Sequence, residues 1–318
     1  MHDNKTPDWP DSLAICEQLH DKLLPVFELT LKQESIPPEP RLMDNFSTLY
    51  LPLSAWIAQQ QQQVPLVIGI NGSQGSGKST LCKILSPLIE QGFGKKVATL
   101  SIDDLYKTRQ QRQHMSQTIH PLFETRGVPG SHDVDLGIAL LTKIKQQTGA
   151  VKIPVFDKAT DDRKDEKYWQ LTHDKTDIVL FEGWCVAAVA EETISLATAM
   201  NALEKNDDPD ARWRQYINQQ LKTDYQRLFA FIDKLIMLKI PDFNKVIEWR
   251  TLQENKLKKN PGSNGQNLAM SDDALRRFIM HFERISKHTL QEMPARADVI
   301  LDVGHDHQIQ QIALKVIK

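Results

Sequence analysis

A doubly wound, mostly parallel α/β sheet behind an N-terminal helical extension is the fold that this sequence predicts. Three observations carry the prediction. Five short apolar runs, rich in Val, Ile and Leu and bounded by turn residues, read as buried strands. Helical-period stretches alternate with them, as in a parallel sheet covered on both faces. Polar residues follow the runs, at the strand ends where such sheets bind ligands. By length, 318 residues allow two domains, although one doubly wound domain with insertions also reaches this size. The division expected is a helical extension over 1–60 and a sheet domain over 61–318.

The extension reads as helical and peripheral. Leu13, Ile15, Leu19, Leu23 and Leu24 recur at helical spacing until Pro37, Pro38 and Pro40 interrupt. A second short helix around 53–60 ends in the glutamine run 59–63, a solvated helix end or spacer. The first strand is read at 64–70, followed by a glycine-rich turn and a helix from Thr80 to about Gln91. The second strand, 96–102, ends in Asp103-Asp104, and Leu136, Ala139, Leu140 and Ile144 share one face of a helix over 135–147. Further strands are read at 177–183, 235–240 and 298–303.

Composition excludes several classes. Lys and Arg number 39 against 41 Asp and Glu, so no basic field exists to hold a nucleic acid or an anionic membrane. Cys16, Cys82 and Cys185 lie far apart without a C-x-x-C pair, which suits a reducing cytosol and argues against a thiolate zinc site. The polar start Met1–Lys5 has no signal-peptide core behind it. No apolar run approaches the roughly 20 residues of a membrane helix. A soluble, cytoplasmic protein is the expectation; its oligomeric state is not legible.

Gly72-Ser73-Gln74-Gly75-Ser76-Gly77-Lys78-Ser79 fits G-x-x-x-x-G-K-[ST] in full and lies between a strand and a helix, the context this P-loop motif requires. Glycines let successive backbone N–H groups turn toward phosphate oxygens, and the helix N-terminus adds its dipole. Lys78 is placed to bridge the β- and γ-phosphates, Thr80 to extend the nucleotide site, and the Ser79 hydroxyl to hold Mg²⁺. ATP and Mg²⁺ are therefore the expected ligands. Guanine-specific switching is disfavoured: Asn244-Lys245-Val246-Ile247 lacks the aspartate of N-K-x-D, and no D-x-x-G occurs.

Carboxylates close two of the strands. Asp103 can face the γ-phosphate, orient an attacking hydroxyl and lie near the metal; a helix cap is the alternative for a lone aspartate. Glu182, after four apolar residues, has the setting of a magnesium acid, because a carboxylate ending a buried strand needs a cation or donor.

Strand, P-loop, Ser101-Ile102-Asp103-Asp104-Leu105-Tyr106 and Leu180-Phe181-Glu182-Gly183-Trp184 together resemble the P-loop small-molecule kinases that include pantothenate kinase, uridine kinase and phosphoribulokinase. Four more segments are similar to the plant and fungal type D-glycerate 3-kinases and their bacterial relatives. These are Arg126-Gly127-Val128-Pro129-Gly130-Ser131-His132-Asp133, Pro154-Val155-Phe156-Asp157-Lys158, Trp249-Arg250 with Gln253-Glu254, and Met270-Ser271-Asp272. The resemblance runs from about residue 51 to 303.

It implies a P-loop kinase fold, Asp103 as general base with Asp104 and Tyr106 beside it, and Lys78, Ser79 and Glu182 at phosphate and magnesium. It further implies an acceptor site from Arg126, His132 and Asp133 with Asp157 and Lys158, and a catalytic Arg250 approaching the phosphates. A bidentate Arg126 suits a carboxylate acceptor; a surface salt bridge is its alternative. His132 reads equally as a packing residue, and Asp157-Lys158 as a plain turn. A lid is expected within 250–270; its basic, turn-rich part, 256–265, reads equally as a solvated loop.

One segment departs from the pattern. Where glycerate kinases carry G-x-G-D-R, this chain has Ala159-Thr160-Asp161-Asp162-Arg163-Lys164-Asp165, without glycine and denser in charge. The implied reaction is transfer of the ATP γ-phosphoryl to a hydroxyl of a small acid, D-glycerate first. Other acceptors of pantothenate or nucleoside type, a regulatory ATPase and a non-catalytic nucleotide-binding protein are the competing readings.

Overall fold

The computed structural model describes residues 13–259 and 270–315, in order α1 (Leu13–Gln33), α2 (Pro40–Asn45), α3 (Leu51–Gln60), β1 (Leu66–Gly72), α4 (Lys78–Phe93) and β2 (Val97–Ser101). There follow α5 (Arg109–Thr118), α6 (Val134–Gln146), β3 (Lys152–Ile153), β4 (Phe156–Asp157), β5 (Asp162–Arg163), β6 (Gln170–Leu171) and β7 (Ile178–Gly183). The chain continues through α7 (Ala202–Asp207), α8 (Arg212–Lys222), α9 (Asp224–Phe229), β8 (Lys234–Lys239) and α10 (Asn244–Lys259). It closes with α11 (Asp272–Glu292), β9 (Val299–Val303) and β10 (Ile309–Leu314).

Six strands form one sheet in the order β10-β9-β8-β1-β7-β2, parallel except for the antiparallel β9–β10 pair. Two short antiparallel pairs, β3–β6 and β4–β5, stand apart from it. Strand β1 is buried along its whole length because it is paired on both edges and covered on both faces. Its period-2 alternation divides the core: Ile68 and Ile70 join the cluster of α4, while Val67 joins Val179 and Phe181 on the opposite face. The doubly wound prediction is met, and five of the strands are the five read from the apolar runs.

Three details differ from the sequence reading. The first strand begins at Leu66 and continues to Gly72, because β7 and β8 pair with it up to Asn71 and Gly72. The sixth strand, β10, escapes an apolar-run reading because it is an edge strand whose residues are exposed or half-buried. The N-terminal helices are not peripheral. Leu23, Phe27 and Leu31 of α1 and Leu53 and Ile57 of α3 share one core with Ile84 and Leu88 of α4. Each is fully or almost fully buried, and burial of such a side chain is worth about 1.5–3 kcal/mol.

Helix α11 opens behind the Met270-Ser271-Asp272 signal, where the Ser271 hydroxyl accepts the Ala274 N–H at 3.2 Å. Of the expected lid, 250–270, residues 260–269 lie outside the described residues.

Candidate active site

The P-loop emerges from β1 and delivers the chain into α4. Gly77 caps that helix at φ +95°, a left-handed conformation open to glycine, and an added Cβ there would meet nothing within 4 Å. Gly72 is required for space instead: a Cβ would fall 2.5 Å from Ser76 Oγ and 3.0 Å from Leu238 Cβ. The Ser76 amide donates to the Ser73 carbonyl at 3.1 Å, and Lys78 Nζ donates to the same oxygen at 3.1 Å. The buried Ser76 hydroxyl and the Gln74 side-chain amide have no hydrogen-bond partner. Buried polar groups are rarely left so, and a loop holding several of them suits an oxygen-rich ligand.

Beyond the loop lies a cavity of about 600 Å³. Gln74, Gly75, Gly77, Lys78, Ser79 and Thr80 form its phosphate end, while Gly72 and the buried Ser73 and Ser76 shape the loop from behind. Ser79 Oγ donates to Glu182 Oε1 at 2.9 Å, so a hydroxyl and a buried carboxylate converge from α4 and β7. This hard-oxygen pair fits Mg²⁺, which takes one or two protein oxygens and completes its shell with water and phosphate. Among the described residues no group of three or more His, Cys, Asp or Glu could hold a metal by itself.

Asp103, Asp104 and Tyr106 line the next stretch, just past the end of β2. Asp103 Oδ1 accepts the Tyr106 hydroxyl at 2.7 Å and Oδ2 accepts Lys158 Nζ at 2.8 Å. Burial works against its ionisation, but the Lys158 ammonium and these hydrogen bonds outweigh it and hold the carboxyl below its ordinary value. Its neighbour behaves oppositely. Burial, assisted by the charge of Asp103, pushes Asp104 up to about 6, although the Phe156 amide donates to its Oδ1 at 3.0 Å. Adjacent acids in one strand-end turn thus have their pKa values moved in opposite directions.

Arg126 and Lys158 supply positive charge to the same cavity, and Arg250 of α10 reaches its wall. Three of the expected acceptor residues do not line it. His132 is 1% exposed and lies behind Tyr106, stacked on that ring at 4.7 Å with Nδ1 2.6 Å from the Tyr225 hydroxyl. Burial pushes its imidazole down to about 3, so it is a neutral packing residue and not a cation for an acceptor. Asp133 is the N-cap of α6, accepting the Leu136 amide at 3.1 Å and an Arg163 guanidinium at 3.2 Å. Asp157 closes a turn by accepting the Ala159 amide at 3.0 Å.

The cavity also uses residues that motif reading missed. Phe278 and Phe282 of α11 meet edge to face at 5.0 Å, and Phe282 meets Trp184 at 4.9 Å. Spaced four apart on a helix, the two phenylalanines look like any core pair in the sequence. His307, in the turn between β9 and β10, lies against the Gly75 carbonyl oxygen and stacks on Trp249 at 4.3 Å. No local signal marks it.

Known proteins similar to this chain include kinases. The phosphoribulokinase/uridine kinase family model matches residues 67–253. The uncharacterized kinase mug58 of Schizosaccharomyces pombe is 33% identical over 227 residues, covering 69% of this chain and 78% of that one. The chloroplastic D-glycerate 3-kinase of Arabidopsis thaliana is 27% identical over 297 residues, or 87% of this chain, which spans 61% of that protein's length. Among solved structures, the D-glycerate 3-kinase of Cryptococcus neoformans superposes with a TM-score of 0.64 at 23% identity, over 93% of this chain and 98% of that one, a likeness of fold. No helix among the described residues is long and apolar enough to cross a membrane. With more than half of the chain matched by one family model, and a third of the aligned residues shared with a kinase, this chain belongs to the phosphoribulokinase/uridine kinase family and is a P-loop kinase.

Proposed function

We propose that the protein transfers the γ-phosphoryl group of ATP to a hydroxyl of a small hydroxy acid, D-glycerate. The observation that carries the reading is the setting of Asp103, an acid kept ionised by Lys158 in the cavity that Arg126 and the P-loop share. The names of the plant and fungal relatives agree with it.

Each residue then has a distinct task. Lys78 and the loop amides neutralise the phosphate oxygens. Ser79 and Glu182 would hold Mg²⁺, whose charge offsets that of the transferring group. Asp103 accepts a hydrogen bond from the acceptor hydroxyl, aligns it with phosphorus and takes its proton as the new P–O bond forms and the γ-phosphorus parts from the bridging oxygen, which leaves with ADP. Tyr106 and Lys158 fix that carboxylate from two sides. Arg126 engages the acceptor carboxylate, a pairing that its planar fork favours. Arg250 adds positive charge on the phosphate side, and the aromatic wall of Trp184, Phe278 and Phe282 limits water beside the transfer line. A coupled ADP-release assay with D-glycerate, pantothenate and uridine tests the proposal. Glycerate should stimulate ADP release well above the ATP-only rate; stimulation by pantothenate alone would replace glycerate with another hydroxy acid, and stimulation by uridine alone would remove the acid assignment and leave the kinase class.

A further inference from the structure

The segment that departs from the glycerate-kinase pattern lies against the acceptor side of the cavity. Within it, Asp161 has φ +56°, a left-handed conformation that Asp tolerates better than most residues other than glycine. Its carboxylate stands between two arginines from different segments. Arg112 of α5, 2% exposed, donates from Nη2 both to Asp161 Oδ2 at 2.8 Å and to the Asp161 carbonyl at 2.6 Å. Its Nη1 donates to the Glu124 carbonyl at 2.8 Å. The other carboxylate oxygen, Oδ1, accepts from Arg126 Nη1. The remaining donors of Arg126 have no protein partner among the described residues; the Phe156 ring centre lies 5.5 Å from its guanidinium carbon.

This geometry makes the carboxylate a fixture and not a removable plug. Arg112 grips both the side chain and the main chain of Asp161, so swinging the carboxylate away would leave a buried guanidinium without its paired anion. Two guanidinium charges share one carboxylate, and the trio keeps a net positive charge beside the cavity. A long arginine otherwise loses much rotamer freedom on gripping a ligand, and a bond already made on one nitrogen removes part of that loss beforehand.

We propose that Asp161, anchored by Arg112, is a positioning residue that holds Arg126 ready and reserves its remaining N–H groups for a carboxylate-bearing acceptor. The proposal rests on the reading of Arg126 as the acceptor clamp. D161G suits the left-handed backbone and keeps the main-chain carbonyl for Arg112 while deleting the carboxylate. Its KM for D-glycerate should rise at least tenfold, with kcat and the KM for ATP within threefold of wild type. D161N, which keeps one acceptor oxygen, should fall between the two. An unchanged glycerate KM in D161G overturns the proposal; so does a lowered one, which would mean that the carboxylate competes with the acceptor. R126A separates the layers. If R126A raises the glycerate KM and D161G does not, the positioning role alone fails. If R126A leaves it unchanged, the clamp reading fails and the proposal falls with it. Should D161G not fold, D161N decides, with a threefold rise as the criterion.

Discussion

The two ends of the cavity are built on different principles. At the phosphate end the working groups come from one continuous stretch, largely backbone, held by β1 on one side and α4 on the other. At the acceptor end they are side chains from separate segments: Asp103, held by Tyr106 and Lys158, and Arg126, held by Asp161. A backbone cradle is insensitive to most side-chain changes and treats every nucleoside triphosphate tail alike. A side-chain clamp can be re-aimed by one loop. On the proposed reading the phosphate end sets the reaction class, and the acceptor end sets the substrate.

Substitutions can break this contrast, from large effects to small. K78A should lower turnover roughly 1,000-fold with every acceptor alike, since it removes a donor from the transferring group; steady-state rates with two acceptors would check the uniformity. D103N keeps the shape but removes the base, and kcat should fall roughly 100-fold or more with ATP binding retained. ATP-induced thermal stabilisation alongside the rate would separate the two quantities.

A smaller effect concerns the wall behind the acceptor end. His132 is buried neutral with its pKa pushed down to about 3, against an ordinary 6.5. Its contribution to stability is complete above pH 6.5 and is lost progressively as pH falls toward 3, because the unfolded chain takes up the proton first. Between pH 7.5 and 5.5 this amounts to about 1–2 kcal/mol, or about 2 °C in Tm. Asp104 acts with the opposite sign: its carboxyl, raised to about 6, contributes stability at low pH that is lost as pH rises through that value. Melting wild type and H132N at both pH values isolates the histidine. The wild type should lose more stability on acidification than the variant, and equal losses would place the imidazole in contact with water. The smallest effect is G77A, whose methyl meets no neighbour and is penalised only by the left-handed backbone. That should cost about 1 kcal/mol, read as a drop of one to two degrees in Tm.

The same contrast explains what could be read from the linear chain. The phosphate end is legible because its chemistry needs particular residue types at fixed local spacing, and eight consecutive residues state it. The strand-end acids Asp103 and Glu182 are legible because carboxylates closing apolar runs are costly without partners. The acceptor end is legible only in part. Arg126 and Lys158 do line the cavity, but His132 and Asp133, in the same motif as Arg126, are turned to packing and capping. Adjacent residues in an irregular loop face different ways, and no periodicity says which. Phe278, Phe282 and His307 reach the cavity through tertiary packing alone, and the ion pair of Asp161 with Arg126 joins residues 35 apart in the chain.

The packing of α1 and α3 against α4 bears on how the protein is made. Leu23, Phe27 and Leu53 are synthesised before their lasting neighbours on α4 and the sheet. Until those neighbours arrive the nascent chain displays an oily surface with nothing to cover it, a natural landing place for a chaperone. The P-loop helix in turn is roofed on its outer side only when these early helices settle upon it. Removing α1 and α3 would thus be felt at the P-loop, through a layer that lies outside the cavity.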